Sequence, residues 1–141
     1  MDDFRSQLSA LIDEMLAAGA SPVFLVIDLE GVEQIKKNHG AESLDKFHAA
    51  AISAVIAATD GADAFSYGDD RIVAILDGGF DRLKTFALSQ KLRRVIPLLG
   101  QSFDCFLRPE FDIVEYDANA GIGALIARIS MRRIRNEEAA G

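Results

Sequence analysis

Two acidic turns hold the side chains best suited to binding a cation. Asp28-Leu29-Glu30-Gly31 follows the apolar run Val23 to Ile27, and Gly68-Asp69-Asp70 lies between two short runs rich in strand formers. Hard divalent cations such as magnesium take oxygen ligands from wherever the fold supplies them, so carboxylates at the ends of distant strands can share one ion. Asp28 and Asp70 are the candidate ligands. The competing reading is plain turn chemistry. An aspartate at a strand end accepts backbone N–H bonds or caps the next helix, and Asp69-Asp70 keeps a hairpin tip solvated while Arg71 pairs with one of them. Residue type alone leaves the two open.

Other chemistry finds less support. His39 and His48 fit no zinc-ligand spacing and have no cysteine beside them, so they read as a loop histidine and a helix histidine. Cys105 is the single cysteine, which excludes an intrachain disulfide and fits a reducing compartment. Ser53, Ser66 and Ser130 lack a nucleophile-elbow context. Gly121-Ile122-Gly123 is too short for a phosphate loop and opens a helix instead. The net charge of −7 repels nucleic acid and anionic membranes. The dense basic stretch Arg128, Arg132, Arg133 and Arg135 reads as a solvated helix end, with partner docking as the alternative. No apolar stretch is long enough to span a membrane. Met1-Asp2-Asp3-Phe4-Arg5 lacks the pattern of a signal peptide, so a cytoplasmic protein is expected.

The elements that must position the two turns follow from apolar periodicity. A length of 141 residues fits a single domain over 1–141. Phe4, Leu8, Leu11, Ile12, Met15 and Leu16 predict an N-terminal helix over 3–18, ended by Gly19 to Pro22, and the core is placed in 21–138. Val23 to Ile27 predicts a central strand covered on both faces. Val32 and Ile35 mark a short helix stopped at His39-Gly40. A longer helix is predicted from Glu42 to Thr59. Ala64 to Tyr67 and Ile72 to Leu76 form a hairpin around Gly68-Asp69-Asp70, ended by Asp77-Gly78-Gly79. Phe80 to Ile96 predicts a helix ended near Pro97. Phe103 to Leu107 and Phe111 to Tyr116 read as two strands separated by Arg108-Pro109. Ile122 to Ile134 gives the last helix. The fold class is α/β, more narrowly α+β: a central mixed, mostly antiparallel sheet of about five strands covered by helices.

This order of elements and its two acidic turns resemble the GGDEF domain of bacterial diguanylate cyclases, a palm-like fold related to nucleotidyl cyclases. Val26-Ile27-Asp28-Leu29-Glu30-Gly31-Val32-Glu33-Gln34-Ile35-Lys36-Lys37 is similar to the family's opening strand and turn. Gly68-Asp69-Asp70-Arg71-Ile72 stands where the family carries its signature hairpin. The resemblance spans about Ser21 to Glu138 and rests on order and spacing, since no single motif is intact.

Carried over by position, the resemblance makes Asp28 and Asp70 the metal-type carboxylates, Asp45 the residue at the guanine edge, and Arg135 a cation at the nucleotide phosphates. Other positions depart from the family. Asp69 replaces the second glycine of the signature and Arg71 its acidic fourth position. Lys36 replaces the guanine-reading asparagine, and Glu33 a lysine near the phosphates. Thr59 and Ala62 stand at the key positions of the product-inhibition motif, and 1–20 has no counterpart of the family's N-terminal segment. These changes work against neutralising a triphosphate, on which such catalysis depends. The expectation is a catalytically inactive GGDEF-like domain, without a cofactor, acting as a regulatory or protein-interaction module in bacterial cyclic di-GMP-type signalling. Its expected partner is another protein or a second copy of itself, with guanine nucleotide the weaker ligand. The alternative is a divergent diguanylate cyclase or nucleotide-binding domain that uses Asp28 and Asp70 to hold magnesium.

Overall fold

Alternation along one strand decides which helices cover which side of the sheet. The computed structural model describes residues 2–76 and 82–130. The expectations at Asp77-Gly78-Gly79, Phe80, Arg132, Arg133, Ile134 and Arg135 lie outside the described residues. The order is α1 (Asp2–Ala17), β1 (Val23–Glu30), α2 (Glu33–His39), α3 (Ala41–Ala58), β2 (Asp63–Ser66), β3 (Arg71–Leu76), α4 (Arg82–Gln101), β4 (Arg108–Glu115) and α5 (Gly121–Ser130).

Side chains of a strand point alternately to opposite faces, and β1 is apolar on both. Val23, Leu25, Ile27 and Leu29 join Ile72, Ala74 and Leu76 of β3 in a core closed by Leu44, Phe47, Ala51 and Val55 of α3 and Leu88, Leu92 and Ile96 of α4. Phe24 and Val26 join Val73, Ile75 and Val114 in a second core closed by Leu8 and Ile12 of α1 and Leu125 and Ile129 of α5. The sheet is thus sandwiched between two helical layers. Its order is β2-β3-β1-β4, and every pairing is antiparallel.

The observed sheet corrects the expectation of a mixed, roughly five-stranded one: the described residues form four strands, all antiparallel. The difference lies in Phe103 to Leu107, which is a turn and irregular segment rather than a strand. Helix α4 runs through Pro97 to Gln101 instead of stopping at the proline. The buried stripe Leu88, Leu92 and Ile96 holds the helix in place, and packing of this kind outweighs the lost backbone donor. The chain then folds back, with Phe103 N–H donating to Gly100 O at 2.9 Å and Cys105 N–H to the same oxygen at 2.9 Å. Cys105 and Leu107 are buried, so the apolar run fills core under a turn. Pro109 lies within β4, which pairs only with β1 among the described strands. An edge strand tolerates a residue without a backbone donor.

Candidate functional site

The register between β1 and β3 sets the chemistry of the acidic turns. It pairs Ile27 with Ile72 and Asp28 with Arg71. Leu29 N–H donates to Asp70 O at 2.8 Å, and Tyr67 N–H closes the hairpin on Arg71 O at 2.9 Å. Between them Gly68 adopts φ +67°, a left-handed conformation that glycine reaches without steric cost. The hairpin predicted around Gly68-Asp69-Asp70 is therefore present, with Ile72 buried as the first apolar residue of its return strand.

Directly paired residues share a face. Asp28 and Arg71 continue the row of Val26 and Val73, at the rim of the core beneath α1 and α5. The Arg71 side chain is only 7% exposed and its Nε donates to Asp28 Oδ1 at 2.5 Å, with the Asp28 side chain 21% exposed. Arg71 Nη1 also donates to the backbone oxygen of Ile129 in α5. Arg71 thus pairs with Asp28 across the sheet, and not with its neighbours Asp69 or Asp70 as turn chemistry suggested. A guanidinium and a carboxylate form strong charge-assisted bonds of this type. Leaving water is costly for each ion, and the pair offsets that cost only while both partners stay in place.

Asp70 sits exposed at the tip. Among the described residues, no group of three or more His, Cys, Asp or Glu side chains is arranged to hold a metal ion. Asp69 faces away from the pair: its Oδ2 lies 3.6 Å from Lys36 Nζ, both side chains well exposed. Two of the positions that depart from the pattern it resembles, Lys36 and Asp69, therefore meet each other across the mouth of the turns. Asp45 is exposed on α3. Arg135 lies outside the described residues.

Three contacts around the turns were not foreseen. His48 Nε2 donates to Asp69 O at 2.7 Å from a nearly buried ring, anchoring the hairpin tip to α3. Its signal was in the sequence, because His48 follows the buried stripe Leu44, Phe47, Ala51 and Val55 at helical spacing. Cys105 Sγ donates to Gly31 O at 3.2 Å, tying the 102–107 segment beneath the first acidic turn. Burial raises the pKa of this thiol, the Glu33 carboxylate raises it further, and a backbone hydrogen bond at Ile35 offsets part of the rise. Tyr67 O–H donates to Ser130 Oγ, whose own hydroxyl donates to Ile126 O at 2.8 Å. Neither of the last two contacts has a sequence signal, since each depends on how distant elements pack.

No family model and no curated protein matches the sequence. Solved structures do match. A sensory box/GGDEF family protein from Caulobacter crescentus superimposes with a TM-score of 0.63 at 18% identity, covering 99% of this chain and 92% of that one. The GGDEF domain of DgcB from Caulobacter crescentus, solved in complex with c-di-GMP, gives a TM-score of 0.63 at 14% identity over 89% of this chain and 77% of that one. The diguanylate cyclase SiaD from Pseudomonas aeruginosa, solved in complex with its activator SiaC, gives 0.57 at 12% identity over 82% of this chain and 46% of that one. The fold is that of GGDEF domains, as the two turns and the element order indicated. No helix among the described residues is long and apolar enough to cross a membrane.

Proposed function

We propose that this chain is a GGDEF-fold domain that makes no cyclic di-GMP and works as a regulatory or protein-interaction module of bacterial cyclic di-GMP-type signalling in the cytoplasm. The observation that carries the reading is the 2.5 Å pair between Asp28 and the buried Arg71. In a cyclase the equivalent carboxylate faces magnesium, which neutralises charge developing on the phosphates. Here the Arg71 guanidinium pairs with that carboxylate instead. For a divalent ion to take up Asp28, the guanidinium must give up its bond to that carboxylate, which is costly for a buried charge. Asp69, Lys36 and Glu33 oppose triphosphate binding for the reasons already given.

A protein partner is the more natural ligand. SiaD, a structural neighbour, was solved with a protein activator, which supports a protein partner here. The decisive experiment incubates the chain with GTP and magnesium, follows product by chromatography, and measures nucleotide binding by calorimetry. No cyclic di-GMP is expected. Product formed faster than by the Asp70→Ala variant would overturn the reading in favour of a divergent cyclase that uses Asp28 and Asp70 to hold magnesium.

A further inference from the structure

The signature hairpin is tied to α5 from both of its sides. On one side Tyr67 O–H donates to Ser130 Oγ, and on the other Arg71 Nη1 donates to Ile129 O. Tyr67 and Arg71 are themselves joined, Tyr67 N–H to Arg71 O at 2.9 Å. The two anchor residues on the helix are consecutive and belong to its last described turn. Ile129 is fully buried in the core shared with α1, whereas the Tyr67–Ser130 bond lies at the exposed rim. A guanidinium donating to a backbone carbonyl makes a charge-assisted bond, and one planar guanidinium reaching both Asp28 and Ile129 holds strand and helix in a single geometry.

We propose that the hairpin and the last described turn of α5 form one latch, so that displacing α5 loosens the signature hairpin and loosening the hairpin frees α5. The latch makes α5 the element through which an event on the α1–α5 layer reaches the acidic turns. It does not depend on whether the domain turns over GTP. Coupling between two sites is reciprocal, so a perturbation from either side must be felt on the other.

Hydrogen exchange followed by mass spectrometry on the full chain tests this. Ser130→Ala perturbs from the helix side and Tyr67→Phe from the hairpin side; both remove the Tyr67–Ser130 bond, and Ser130→Ala also removes the bond that its hydroxyl donates to Ile126 O. Arg71→Lys keeps the charge beside Asp28 but loses the fork. Ser130→Ala is expected to speed exchange in 67–71, and Tyr67→Phe and Arg71→Lys to speed it in 121–130, by about threefold to tenfold for one lost hydrogen bond. Exchange in α3 should stay at the wild-type rate. Acceleration confined to the substituted element overturns the latch, as does acceleration spread equally over α3. Should Arg71→Lys fail to fold, the two rim variants decide the matter alone.

Discussion

The register that pairs Asp28 with Arg71 turns a would-be metal ligand into half of an ion pair. Two predictions belong to single residues. Arg71→Met takes the guanidinium from the Asp28 carboxylate and one donor from the Ile129 carbonyl. Because Asp28 keeps some solvent contact, a loss of about 3 kcal/mol is expected, at the low end for a broken buried pair. The double variant Arg71→Met/Asp28→Leu should lose about 1 kcal/mol less than Arg71→Met alone, since the Asp28 carboxylate is no longer stranded. Urea denaturation of both variants checks the order, and a double variant weaker than the single would contradict it. The second prediction concerns Cys105. Its folded thiol holds a proton above the ordinary value of 9.0. The unfolded thiol ionises first as pH rises through that value, the unfolded chain then binds fewer protons, and stability falls. Chemical denaturation across this range should show a downward slope in the wild type that is shallower in Cys105→Ala. The identities of Asp28 and Arg71 were legible in the sequence, but their pairing was not. They stand 43 positions apart, and a slip of one residue in the β1–β3 register would send Arg71 to the opposite face.

Elements with a clean period were the legible ones, and tight backbone approaches were not. The strand Val23 to Ile27, the hairpin and the long α3 all appear where alternation, turn residues and helical spacing put them. The segment 103–107 did not read correctly, because a short apolar run looks the same whether it pairs in a sheet or plugs a core from a turn. Its position is set by contacts that only the fold reveals. A Cβ on Gly31, which has φ +98°, would lie 2.7 Å from Phe106 O. A Cβ on Gly100 would lie 2.8 Å from both Cys105 O and the Leu107 side chain. Gly31→Ala therefore meets an unfavourable backbone angle and a backbone oxygen together, and a loss of about 2–3 kcal/mol is expected. Gly19→Ala has a similar backbone angle but open space around it, so it should cost less. Thermal melts of the two variants compare clash with backbone angle directly, and equal losses would show that the approach of Phe106 contributes nothing.

Across the whole molecule, one sheet serves two cores, and this arrangement predicts a single cooperative transition. Strands β1 and β3 place residues in both clusters, Ile27 and Ile72 on one side and Phe24 and Val73 on the other. Neither helical layer can lose its sheet without the other losing it too. The chain has no tryptophan and two tyrosines, and Tyr67 and Tyr116 both pack against the α1–α5 core. Tyrosine fluorescence therefore reports that layer, while far-ultraviolet circular dichroism draws much of its helical signal from α3 and α4 on the opposite one. The two unfolding curves in urea should coincide, as required of a two-state domain of this size. Ile96→Val and Ile129→Val remove one methylene from each core, at fully buried positions on opposite faces. Each should cost about 1 kcal/mol. Separated by the sheet and sharing no partner, the two losses should add to within about 0.5 kcal/mol. If Ile129→Val shifted the tyrosine curve and left the dichroism curve in place, α1 and α5 would be unfolding as a separate layer and the shared sheet would not be the unit of stability.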